Sequence, residues 1–167
     1  MDDSDSAAPS LSTGGASSTG DLLYDAFYGG AIGGAATALF FLAVDVFAAE
    51  PLYTPSLLGT VLFTGADPAS VTEVRLDMVA YFSAVHLVAF LILGGAVSYL
   101  CRLTGISETN LPVVTGVVFV VLSAAFFAGD FLVMQGVAAA IGIPFVLGAN
   151  FVTALAMAVF LRKAHTG

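Results

Sequence analysis

Tryptophan is absent from this chain, cysteine occurs once (Cys101), and only Arg75, Arg102, Arg162 and Lys163 carry a fixed positive charge. A single cysteine allows no internal disulfide, so cysteine usage gives no sign of the redox compartment. Four cations against twelve carboxylates leave a formal net charge of −8. That balance excludes nucleic acid as a partner and a polybasic grip on anionic lipid, because both require clustered Lys and Arg. Charged residues of either sign make up only 10% of the chain, against roughly 25% in soluble globular domains. Catalytic signatures are missing as well. The chain has no G-x-S-x-G, H-E-x-x-H, Walker-type glycine loop or C-x-x-C.

What fills the chain instead is apolar. Of its 167 residues 59% are hydrophobic, and the mean hydropathy is +1.01. A soluble domain this small has too little interior to hide that much apolar surface. The composition predicts an integral membrane protein with the lipid bilayer as its first partner. Residues 1–21, rich in Ser, Gly and Asp with little to bury, read as a disordered acidic tail. Its acidity, with one lysine in the whole chain, suits a prokaryotic cell living in high salt.

Four apolar stretches follow, and a span needs about 20 residues at ~1.5 Å rise each. They run over about 24–49, 78–101, 112–134 and 143–161, within a transmembrane domain of residues 22–167. Continuous apolar runs such as LVAFLILGGAV and VVTGVVFVVL lack the alternation of a membrane barrel. The expected fold is therefore an all-α bundle of four transmembrane helices. Glu50-Pro51 stops the first span, and Asn110 can cap the third with Pro112 in its first turn. Pro144 either opens the fourth span or kinks a longer helix that begins near Val137. The only long connection, 50–77, contains TPSLLGTVLF. There Thr54 can cap and Pro55 can open a short extra helix outside the membrane, and Asp67-Pro68 restarts helix toward the second span.

An even number of spans puts both termini on one side. Arg102, Arg162 and Lys163 lie on that side and only Arg75 on the other, which predicts cytoplasmic termini in the cell membrane. Tyr24, Tyr28 and Tyr99 fall at one boundary, Tyr53 and Tyr81 at the other, as an interfacial belt requires.

Small residues mark the packing faces. The first span carries two ridges, Gly29-x-x-x-Gly33 and Gly30-x-x-x-Gly34, which allow another backbone to approach closely. Gly94 in the second span and Gly148 in the fourth are partners within the chain. The same face could instead assemble a homo-oligomer or a membrane complex.

Polar residues inside spans need a reason, because a central charge costs about 2.5–3.5 kcal/mol on insertion scales. Asp45, His86, Asp130 and Asn150, one per span, fall at similar depth in the half away from the termini. They read in three ways: as structural polar groups fixing register, as a proton or ion site, or as a metal site built by Asp45, His86 and Asp130. No other cofactor is implied. The leading function is a non-enzymatic membrane protein, a structural or accessory subunit or self-associating bundle. The alternative is a small transporter or ion-coupled carrier that uses the Asp/His/Asp cluster.

Overall fold

A computed structural model of the chain describes residues 19–104 and 110–166. The acidic tail expected over 1–21 lies almost wholly outside the described residues. Those described are mostly helical, with no strand among them. Helix α1 spans Thr19–Phe47, α2 Tyr53–Thr64, α3 Leu76–Thr104, α4 Leu111–Gly129, α5 Val137–Ile141 and α6 Ile143–Thr166. A 3-10 turn, Pro68–Ser70, separates α2 from α3, and a π-helical turn, Asp130–Met134, follows α4. Four segments, Ala26–Phe47, Leu76–Cys101, Leu111–Met134 and Ile143–Lys163, are long and apolar enough to cross a membrane, the pattern of a multi-pass membrane protein.

Their order in space differs from their order in sequence. Helix α1 packs against α3 on one side and α6 on the other, and α6 in turn packs against α4. The row is thus α3–α1–α6–α4. Close packing explains the central place of α1, because its two glycine ridges face two different neighbours. A methyl group on Gly30 would fall on the Phe90 carbonyl oxygen of α3, and one on Gly94 would lie 2.7 Å from the Ala26 carbonyl oxygen. On the other ridge, a methyl on Gly33 would lie 2.6 Å from the Met157 sulfur of α6. Gly148 brings α6 onto α1 in the same way, 3.1 Å from the Phe40 ring. Both ridges are therefore filled within one chain. A second chain docking through this face of α1 would first have to displace α3 or α6.

Two ends can be distinguished. At the end carrying the termini, Val97 and Cys101 of α3 join Val114, Val118 and Leu122 of α4 and Ala154, Met157, Ala158 and Leu161 of α6 in one buried cluster. Tyr24, Tyr28 and Tyr99 are exposed there and Tyr81 at the opposite end, which also holds α2 and α5. Helix α2 lies against α3, and Gly59 brings it close enough that a methyl there would collide with the Met78 backbone.

Several local expectations need correction. Asn110 precedes α4, but its side chain makes no capping hydrogen bond. Thr54 sits inside the first turn of α2, whose N-cap position is Leu52 in a left-handed conformation. Asp67 caps only the 3-10 turn, accepting from Ala69 N at 3.0 Å, and α3 begins separately at Leu76. Pro144 opens α6. Gly142, at φ 97°, breaks the chain between α5 and α6, so no single kinked helix runs from Val137.

Candidate functional site

The four polar residues of the candidate spans occupy two different kinds of position. Asp45, in the last turn of α1, is 4% exposed. Its Oδ2 accepts from the backbone N–H of Thr54 at 2.8 Å, and its Oδ1 accepts from the Thr54 hydroxyl at 2.6 Å. The carboxyl thus supplies the N-terminal cap that α2 lacks locally, across the turn formed by Ala49 and Leu52 at positive φ. Asp130 acts similarly at the other corner. Its Oδ1 accepts from Gly136 N at 3.2 Å and Ala138 N at 3.1 Å, closing the π turn onto the start of α5.

His86 and Asn150 lie deeper. The His86 Nε2 is 3.1 Å from the Gly34 carbonyl oxygen. A carbonyl can only accept, so Nε2 carries the proton, and a neutral ring keeps its lone pair on Nδ1. The imidazole sits between Phe82 and Phe90, with ring centroids at 5.6 and 4.6 Å. Asn150, 7% exposed, donates from Nδ2 to the Ser123 hydroxyl at 3.2 Å, tying α6 to α4. A further polar tie, between the Thr37 and Thr153 hydroxyls at 2.6 Å, joins α1 to α6.

None of the four polar residues is hydrogen-bonded to another among the described residues. Asp45, His86 and Asp130 do not converge as a metal site either. Among the described residues no group of three or more His, Cys, Asp or Glu is placed to hold a metal ion. Equal depth in four helices is not proximity, because Asp45 and Asp130 are turned to Thr54 and to the start of α5 rather than toward His86 and Asn150.

This helix arrangement also leaves a cavity in the fold. Helices α3 and α4 do not pack closely along their lengths. Between them, backed by α1 and α6, lies a half-enclosed cavity of about 750 Å³. The buried cluster closes it toward the termini, while Leu58 and Leu62 of α2 and Met134 cover it at the other end. Its lining is almost wholly apolar, with Phe41, Phe82, Phe90 and Phe126 among the larger groups. Five lining residues have polar side chains: Thr37, Thr54, Ser83, His86 and Asn150. The cavity therefore brings together His86 and Asn150 and leaves out Asp45 and Asp130.

No protein-family model, curated protein or solved structure matches the chain.

Proposed function

We propose that this is a non-enzymatic cell-membrane protein that holds one apolar molecule, taken sideways from the bilayer, in the cavity between α3 and α4. The observation that carries this reading is the cavity itself. At about 750 Å³ it falls within the ~300–1,000 Å³ of small-molecule sites, and its few polar groups among apolar walls are typical of them. Most of the lining comes from the four candidate spans, which favours a ligand arriving from lipid. Closure at both ends argues against a docked transmembrane helix, which would need a groove running the full depth of the bundle.

The use of Asp45 and Asp130 as caps supports a binding role over ion-coupled transport, since neither carboxyl lines the cavity. Arg102, Arg162 and Lys163 at one end against Arg75 at the other support cytoplasmic termini, with α2 on the outer side. The protein then works as an accessory component that stores, presents or senses a lipophilic molecule.

Photolabelling in liposomes tests this. An apolar diazirine probe should label cavity positions such as Ser83 and Ala125 saturably. Ala38→Phe with Ala125→Phe, which fills space at two exposed lining alanines, should abolish the saturable part while helicity is retained. Labelling that never saturates, or that the filled variant leaves unchanged, would contradict the proposal.

A further inference from the structure

We infer that the molecule held in the cavity is an uncharged, hydroxyl-bearing lipid whose hydroxyl is received by Asn150, in a cavity that His86 also lines. The inference rests on the cavity reading above and adds the chemistry of the ligand's polar end.

An inventory of the polar lining leads there. The Thr54 hydroxyl has donated its proton to Asp45 and the Ser83 hydroxyl to the Val79 carbonyl oxygen at 2.7 Å. The Thr37 hydroxyl is held between Thr153 and the Gly33 carbonyl oxygen. His86 has spent its Nε2 proton on Gly34, which leaves an acceptor at Nδ1 with no partner among the described residues. Asn150 has spent one N–H on Ser123, and its side-chain oxygen has no partner among the described residues. That oxygen is also not among the sealed polar atoms lacking a partner, which are the Thr60 and Thr115 hydroxyl oxygens. Asn150, more than nine-tenths buried, thus lines the cavity with an amide whose hydrogen-bonding capacity is only partly used among the described residues.

The unspent capacity is thus mainly acceptor capacity, in a lining that carries no charged side chain. A phosphate headgroup brings charge and only acceptors, so it matches neither property. An aliphatic alcohol or a hydroquinone brings a neutral O–H donor on an apolar body and matches both. The remaining Asn150 N–H is met as well, since a hydroxyl also accepts.

Competition against the apolar photoprobe, with the wild-type chain in liposomes, separates this from the parent reading. The competitors are geranylgeraniol, geranylgeranyl methyl ether and the corresponding hydrocarbon. The alcohol should displace the probe at about tenfold lower concentration than the ether, equivalent to about 1.4 kcal/mol. Asn150→Leu should bring the alcohol down to the ether's level without changing the ether. If the hydrocarbon and ether compete as well as the alcohol, the hydroxyl inference falls and the apolar cavity stands. If the alcohol keeps its advantage in Asn150→Leu, Asn150 is not its receiver and the inference also falls. If no competitor displaces the probe, or labelling never saturates, both readings fall together. The comparison among competitors on the wild-type chain does not depend on any variant folding.

Discussion

The Asp45 carboxyl lies nine residues ahead of the backbone N–H that it receives, and it belongs to a different helix. Such a cap leaves no local signature, because Thr54 occupies the place where a capping residue would be sought. The sequence marks Asp45, His86, Asp130 and Asn150 as polar groups that need partners, and the structure gives each one. It does not reveal which partner, because Gly34, Ser123 and Thr54 are ordinary residues until the helices are placed. Removing the Asp45 side chain leaves two buried donors on Thr54 unmet. Asp45→Ala should therefore destabilise the protein by about 2–3 kcal/mol. Asp45→Asn, which keeps an acceptor for the backbone N–H, should cost clearly less. Chemical unfolding in detergent, followed by circular dichroism, measures both. Equal losses, or none, would mean that this carboxyl is not the cap of α2.

At the scale of elements, the glycine ridges were legible and their assignment was not. Spacing alone shows that two rows on α1 permit close approach. Only the packed fold shows that Gly30 serves α3 while Gly29 and Gly33 serve α6. Gly59, read simply as part of a short apolar helix, governs the approach of α2 to α3. A matched pair of substitutions separates close contact from mere helix composition. Gly30→Ala drives a methyl into the Phe90 backbone and should cost about 1–3 kcal/mol. Gly29→Ala meets the Phe160 ring at an ordinary 3.7 Å and should be neutral or slightly stabilising through helix propensity. Thermal unfolding in one detergent compares them directly. If both behave alike, the α1–α3 contact is looser than described.

For the molecule as a whole, the number and approximate limits of the helices able to cross a membrane follow from runs of apolar residues, which is why 78–101 in the sequence and Leu76–Cys101 in the fold agree so closely. The cavity has no such origin. It exists because α3 and α4, neighbours in sequence, pack on α1 and α6 rather than closely on each other, and hydropathy carries no information on that arrangement. The cluster expected from depth does not form because the two carboxyls are spent on neighbouring turns, while His86 and Asn150 line a shared space. Native mass spectrometry of the chain released from lipid bilayers is the most direct measurement. The account predicts a chain carrying one tightly held neutral lipid, which is absent when Ala38 and Ala125 are both phenylalanine. A wild-type chain that emerges bare, or the same adduct on the filled variant, would contradict it.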